Sequence, residues 1–346
     1  MPGNKKKLTP ISDLGEFGLI RQLTRNIKVK HKTTILGVGD DAAILGTGKK
    51  KMLLTTDLLT EGIHFNLVYT PLKHLGYKSV VVNLSDIYAM NGIPSQITVS
   101  IAISAKFAVE HIEEIYEGIS LACDKYNVDL VGGDSTSSLT GLTISVTALG
   151  EAPEKTITCR NTSKPNDLIC VSGDLGAAYL GLQILEREKK IFMESEGIQP
   201  RLEGYDYVIQ RQLKPEARGD IVQLLNEKEI VPTAMIDVSD GLSSDLLHVC
   251  SQSGTGCKIY QEKIPVAKDA EKVANELHID PVTCALNGGE DYELLFTINQ
   301  NDYDKIKEDK KIKVIGHMTP RDQSVNIITL EGNVIPIRAQ GWNPLQ

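Results

Sequence analysis

Short apolar, β-branched runs alternate with helix-patterned segments through most of this chain, and that order constrains it to an α/β architecture. Met52–Thr56 and Gln96–Ser104 read as strands, with a helix between them from Leu72 to about Met90. A helix over Glu110–Tyr126 follows, then Leu130-Val131 as a short strand running into Gly132-Gly133-Asp134, and Leu142–Leu149 as another strand. The stretch from Gly150 to Asn166 is polar and turn-rich, with Pro153, Asn161 and Pro165. It is the candidate boundary between an N-terminal domain, 1–150, and a C-terminal α/β domain, 151–346. Beyond it come strands at Asp167–Ser172, Thr233–Ile236, Tyr292–Thr297, Val314–His317 and Val325–Leu330. Helices are expected from Gly176 to about Lys189 and from Gly241 to Cys250. At 346 residues the chain can support two cores.

Aspartates recur where these predicted strands stop. Asp40-Asp41 follows Ile35-Leu36, Asp57 closes Met52–Leu54, Asp134 follows Leu130-Val131, and Asp237-Val238-Ser239-Asp240 follows Met235-Ile236. Ligands of open α/β sheets gather outside strand ends. Carboxylates collected there repel one another unless a cation lies between them. Mg²⁺ suits such a site, taking hard oxygen ligands together with substrate phosphates, and Thr55 and Thr56 offer further oxygens. Each aspartate alone fits a turn or a helix cap equally well; the repetition favours metal. Asp86 differs in lying inside a helix, where it shares a face with Asn83 beside the apolar Val80, Leu84 and Ile87.

Charge narrows the partners. Lys and Arg total 37 against 45 Asp and Glu, a net charge of −8, which argues against nucleic acid. No apolar run approaches the length of a bilayer span, and Lys5-Lys6-Lys7 is followed by no apolar secretory core, so a cytoplasmic protein is expected. The six cysteines form no CxxC pair and read as buried thiols; the seven histidines do not cluster, which disfavours zinc.

Familiar phosphate loops are missing. Gly46-Thr47-Gly48-Lys49-Lys50 has Ala43 where a P-loop needs glycine and Lys50 where it needs Ser or Thr, so it reads as a hairpin-like turn. Gly173-Asp174-Leu175-Gly176 is either an anion-binding helix entry or a plain turn. Gly132-Gly133 and Gly288-Gly289 precede acidic residues and allow close backbone approach to a ligand. Arg160 is either a fork-shaped phosphate donor or a surface residue.

Taken in order, Gly37-Val38-Gly39-Asp40-Asp41-Ala42-Ala43, Thr55-Thr56-Asp57, Glu61-Gly62-Ile63-His64-Phe65, Val82-Asn83-Leu84-Ser85-Asp86, Gly132-Gly133-Asp134, Ile236-Asp237-Val238-Ser239-Asp240-Gly241 and Gly288-Gly289-Glu290-Asp291-Tyr292-Glu293 make the chain resemble the thiamine-monophosphate kinase family. The resemblance runs from about Gly15 to Trp342. It implies the two-domain fold of aminoimidazole ribonucleotide synthetase, a homodimer paired through N-terminal domains, and ATP bound in clefts beside that interface. It also implies several Mg²⁺ ions held by Asp41, Thr55, Thr56, Asp57, Asp86, Asp134, Asp237 and Asp240. Tyr116, Gly133, Asp134, Arg160 and Ser239 would contact ATP, and His64, Glu290 and Trp342 would contact thiamine monophosphate.

The implied reaction is direct in-line transfer of a γ-phosphoryl group. The acceptor is a phosphate monoester with a second pKa of about 6, largely a dianion near neutral pH. It needs no general base, only relief from charge repulsion, which suits a site rich in carboxylates and poor in bases. Trp342 is either a stacking face for a cationic ring or a C-terminal packing anchor. Two other readings stand beside this one. An ATP-dependent synthetase or kinase of the same superfold would carry a reactive Cys or Lys and a glycine-rich loop near the N-terminus; residues 1–15 show neither a Cys nor such a loop. A non-catalytic Mg-nucleotide-binding regulator would keep the fold without turnover.

Overall fold

The computed structural model describes residues 15–26, 29–46, 48–194 and 199–339. A first helix, α1 (Gly15–Thr24), precedes strands β1 (Thr34–Leu36), β2 (Ala43–Leu45) and β3 (Lys50–Thr60). Helix α2 (Leu72–Ala89), strand β4 (Ile93–Ser104), helix α3 (Val109–Tyr126) and strands β5 (Asp129–Ser138) and β6 (Thr143–Pro153) follow. These strands form a six-stranded sheet ordered β1-β2-β3-β6-β4-β5. Only β4 and β5 run parallel, because α3 carries the chain back between them.

A second, seven-stranded sheet starts at β7 (Leu168–Ser172). Helices α4 (Ala177–Glu194), α5 (Asp206–Leu213) and α6 (Gly219–Glu227) lead to β8 (Ala234–Asp237), then α7 (Leu242–Ser253) and β9 (Thr255–Tyr260). Helices α8 (Lys268–Glu276) and α9 (Pro281–Asn287) precede β10 (Leu294–Ile298), β11 (Ile312–Pro320), β12 (Val325–Ile328) and β13 (Val334–Pro336). The order is β13-β12-β9-β11-β7-β10-β8. The chain is thus a mixed α/β fold with two sheets, as expected.

Helix α2 has almost no amphipathic contrast, and 14 of its 18 residues are buried. A helix apolar on every side belongs inside a protein. It lies between the first sheet and α3 on one side and the second sheet on the other, and Val80, Leu84 and Ile87 share one core with Met235 and Phe296 of the second sheet. Each such aliphatic side chain contributes about 1.5–3 kcal/mol when fully buried. α2 and α3 approach closely through two glycines: a Cβ on Gly76 would lie 1.9 Å from the Ile115 carbonyl oxygen, and one on Gly118 would lie 1.9 Å from that of Lys73.

Two expectations fail on strand length. Asp57 and Asp134 do not end their strands but stand inside β3 and β5, which run on for several more residues. β3 continues past Asp57 through Leu58-Leu59-Thr60, and β5 past Asp134 through Ser135-Thr136-Ser137-Ser138. The cysteines are free thiols, five buried and Cys159 half-buried. Among the described residues no helix is long and apolar enough to cross a membrane.

The glycine contact generates a test. Gly118→Ala forces a methyl group into backbone that cannot yield, at a cost of about 1–3 kcal/mol or more. Its thermal midpoint, followed by circular dichroism, is expected to fall by several degrees; an unchanged midpoint would contradict the packing described.

Candidate active site

The site is assembled where α2 meets both sheets. Asp41 comes from the β1–β2 loop, Asp86 from α2 and Asp237 from the last position of β8, and their carboxylate oxygens come within 4.8 Å of one another. Three segments far apart in sequence thus supply one acidic cluster. Thr55 on β3 donates its hydroxyl to Asp86 Oδ2 at 2.6 Å, and Ser85 donates to Asp237 Oδ2 at 2.6 Å. Asn83 Oδ1 accepts the backbone N–H of Asp57 at 2.9 Å, fixing β3 against α2. The 3.6-residue period turns Asn83 toward β3 and Ser85 toward β8, with Asp86 between.

One cation faces the cluster from the connector between the sheets. Arg160 donates to Asp41 and, at 3.3 Å, to Asp40 Oδ1, while its backbone N–H reaches Asp40 Oδ2 at 3.1 Å. It is therefore neither a surface residue nor a free donor. Among the described residues Asp41 Oδ2 is buried with no hydrogen-bond partner. Burial pushes the Asp41 and Asp86 carboxyls well above the ordinary carboxylate range. Arg160 pulls Asp41 back while Asp237 and Asp40 push it up, and Asp57, Asp237 and Asp41 add to the rise at Asp86. Asp237 is raised by burial and eased by Ser85 and Arg160. An orphaned carboxylate oxygen beside two more acids, with a threonine hydroxyl at hand, is a donor set that fits a hard divalent cation such as Mg²⁺.

The other expected residues distribute as follows. Thr55 and Asp57 share the α2 side of β3, whereas Thr56 points to the opposite face. Asp57, Val146, Val99 and Gly133 stand opposite one another across four strands. Asp134, one residue on, therefore faces the other side, about 14 Å away along the sheet. It stands apart from the Asp41, Asp86 and Asp237 cluster. Of the two glycines before it, Gly133 serves the protein's own backbone, since a Cβ there would lie 1.9 Å from the Val99 carbonyl oxygen. Gly289 is held likewise by the Ser239 carbonyl oxygen, 2.2 Å from where its Cβ would be.

Ser239 and Asp240 follow Asp237 into the N-terminus of α7, and the Ser239 carbonyl accepts the Glu290 N–H at 2.7 Å. That bond ties Glu290 to the acidic loop. Glu290 also accepts from Lys78 of α2, from Gln212 Nε2 at 3.3 Å and from the Tyr292 hydroxyl at 3.2 Å. His64 lies in the loop after β3, where Nδ1 accepts the Thr60 N–H at 3.0 Å, so the neutral ring carries its proton on Nε2. The same loop borders an open cleft of about 540 Å³ lined by Glu61, Asn66, Leu72, Lys106 and Phe107. Tyr116 is half-buried on α3 against the core. Trp342 lies outside the described residues.

The Gly173–Gly176 turn is neither of the two alternatives in pure form. It does cradle an anion, but the anion is the protein's own Asp291, which accepts the N–H groups of Gly176 at 2.6 Å and Ala178 at 3.3 Å.

Comparison with known proteins agrees with this geometry. Residues 39–152 match the family model described as AIR synthase related protein, N-terminal domain. Thiamine-monophosphate kinase of Bacillus subtilis is 32% identical over 95% of this chain and 99% of that protein. The enzyme of that name from Aquifex aeolicus is 36% identical over 83% of this chain and 87% of its own length. The chain belongs to the thiamine-monophosphate kinase family. A solved complex of AaThiL with AMPPCP and TMP superimposes with a TM-score of 0.82 at 31% identity, covering 99% of both chains. Hydrogenase maturation protein HypE in complex with ATP, at 18% identity and a TM-score of 0.69, shares the fold.

Sequence reasoning missed Asp40, Ser85, Lys78 and Gln212. Lys78 did leave a signal: a lysine in the middle of a helix, flanked by apolar residues that leave little of it for solvent, has to find a buried partner.

The cluster predicts a stability effect. Two unit charges about 5 Å apart repel by about 3 kcal/mol at an effective dielectric constant of about 20. Raised carboxyl pKa values mean that stability present at low pH is lost as pH rises through them. Metal-free Asp86→Asn should therefore melt above the wild type at pH 8, with the gap closing toward pH 5. Added Mg²⁺ should raise the wild-type midpoint more than that of the variant. Calorimetry at both pH values, with and without the ion, checks both signs.

Proposed function

We infer that the chain transfers the γ-phosphate of ATP to the phosphate of thiamine monophosphate, giving thiamine diphosphate and ADP, a step of thiamine diphosphate biosynthesis. The observation that carries this reading is the convergence of Asp41, Asp86 and Asp237 beneath Arg160, in a family member that matches a solved complex with AMPPCP and TMP along its whole length.

Asp41, Asp86 and Asp237 are the residues that would hold Mg²⁺, with Thr55, Asp57 and Asp240 at the margin, while Thr56 and Asp134 would offer their oxygens from the opposite face of the first sheet. A bound ion would offset phosphate charge and steady the migrating phosphoryl group. Arg160 would orient the nucleotide phosphates as a planar fork, and Tyr116, Gly133 and Ser239 would complete the ATP site. His64 and Glu290 would hold the acceptor, together with Trp342. No side chain is asked to remove a proton, because the acceptor dianion is already a nucleophile.

The active form is a homodimer. Helices α2 and α3 cover one face of the first sheet. The other face shows Met52, Thr56 and Leu58 of β3, Thr147 of β6, and Thr98 and Ser100 of β4, with Leu58 55% exposed. A mixed apolar and hydroxyl surface of this extent suits a second copy of the same chain. Asp134 stands on it, so its part in nucleotide binding is one that the pair completes. The division into domains falls in the connector between β6 and β7.

Three outcomes test these assignments. Incubated with Mg-ATP, the protein should convert thiamine monophosphate, but not thiamine, into thiamine diphosphate. Asp57→Ala should lower turnover about a hundredfold or more while leaving the circular dichroism spectrum intact. Thr98→Arg, at the centre of the open face, should shift sedimentation equilibrium from dimer to monomer.

A further inference from the structure

The string Glu290-Asp291-Tyr292-Glu293 is unusual in its backbone. Glu290 and Tyr292 both adopt left-handed conformations, with φ of 69° and 51°, and Asp291 separates them. Non-glycine residues in this region cost free energy and persist only where their surroundings over-determine them. The alternation sends the side chains to two sides. Glu290 and Tyr292 contact each other beside the acidic cluster, whereas Asp291 and Glu293 point away and are nearly fully buried.

Helix α5 grips both sides with two consecutive residues of its last turn. Arg211 lies 3.5 Å from the Asp291 carboxylate and 3.1 Å from that of Glu293, and it donates to the Asp291 carbonyl at 3.3 Å. Gln212, next in the chain, donates Nε2 to Glu290 at 3.3 Å, and its carbonyl accepts Lys78 at 2.9 Å. The Gln212 amide has only one sensible orientation, since its oxygen cannot face a carboxylate. That oxygen, Oε1, is consequently buried without any partner. An unsatisfied buried acceptor weakens a fold. A methionine of similar volume would fill the same space without it, so stability does not account for glutamine here.

We propose that the Arg211–Gln212 step of α5 is a positioning device for the acceptor site: it holds the Glu290 carboxylate in the pose that binds thiamine monophosphate. Arg211 acts on the backbone of the string by clamping the residues on both sides of Tyr292, and Gln212 acts on the Glu290 side chain itself. The proposal rests on the reading of Glu290 as an acceptor contact.

Gln212→Met tests it first. The variant loses the hydrogen bond to Glu290 and the orphaned oxygen together. It is expected to melt no lower than the wild type, while KM for thiamine monophosphate rises roughly tenfold, the worth of a hydrogen bond to a charged group. KM for ATP should stay within about twofold. Arg211→Lys, which keeps the charge but loses the fork, should also raise the acceptor KM selectively. In a Glu290→Gln background neither substitution should add a further effect, because both act through that carboxylate. A wild-type acceptor KM in Gln212→Met, or full additivity with Glu290→Gln, overturns the proposal. If Arg211→Lys does not fold, the Gln212 and Glu290 variants decide alone. A wild-type protein that makes no thiamine diphosphate overturns the acceptor reading itself, and the positioning role with it.

Discussion

Everything in this molecule depends on a helix that must satisfy polar side chains while buried on all sides. Helix α2 carries Lys78, Asn83, Ser85 and Asp86 in an otherwise apolar sequence. A buried donor or charge without a partner costs several kcal/mol, so each of these residues dictates what may lie against it. Asn83 takes the β3 backbone, Ser85 takes Asp237, and Lys78 takes Glu290 and the end of α5. The two sheets can thus dock in only one register around α2. The hydrophobic core supplies the driving force, and the polar residues make the docking specific. The acidic cluster is a by-product of that register, because Asp86 is brought to Asp237 by the same turn of helix that seats Ser85.

The parts legible in sequence were those with local signatures. Helices α2 and α3 were readable within a residue or two, since their ends are marked by Pro71 and by Asn127 in a left-handed conformation. The triad Asp41, Asp86 and Asp237 was legible as a set of candidate ligands, though only family resemblance gave it a substrate. The misreadings share one cause. Strand ends were placed at the aspartates, but Leu58-Leu59-Thr60 and Ser135–Ser138 continue the two strands beyond them, an acidic residue within a strand being tolerated where it faces a site or the open face. Placing Asp134 at a strand end then brought it too close to the others. Neither the face on which it stands nor its separation from Asp57 follows from order along the chain; both come from the register across β3, β6, β4 and β5.

Arg160 and Arg211 show the same limit from the side of positive charge. Each sits in a segment without a distinctive motif, and spacing leaves its partner open. In the fold each becomes the counter-charge to a different acidic group: Arg160 to Asp40 and Asp41 at the cluster, Arg211 to Asp291 and Glu293 behind the acceptor string. A chain with a net charge of −8 cannot spare cations at random. Their placement separates carboxylates with a built-in partner from carboxylates left short of one. Asp291 and Glu293 are surrounded by donors from the protein itself, whereas Asp41 keeps an oxygen with none.

That contrast explains how one short string can serve structure and chemistry at once. Every second residue from Glu290 to Glu293 is anchored: Asp291 by the N-terminus of α4 and Arg211, Glu293 by Ser172, Arg211 and Arg218. The anchors are charge-assisted hydrogen bonds in a low-dielectric interior, the strongest polar contacts a protein has. They outweigh the strain of two left-handed residues, and that strain is what swings Glu290 and Tyr292 to the opposite side. An ordinary β-strand would alternate its side chains just as well, but its N–H groups would be committed to neighbouring strands. Here the N–H of Glu290 goes to Ser239 and that of Tyr292 to Val238, so the string is bonded to the loop after β8 that carries Asp237. Glu290 and the segment from Asp237 to Ser239 are consequently one unit, with no long connection between the group that would hold the nucleophile and the groups that would hold the nucleotide.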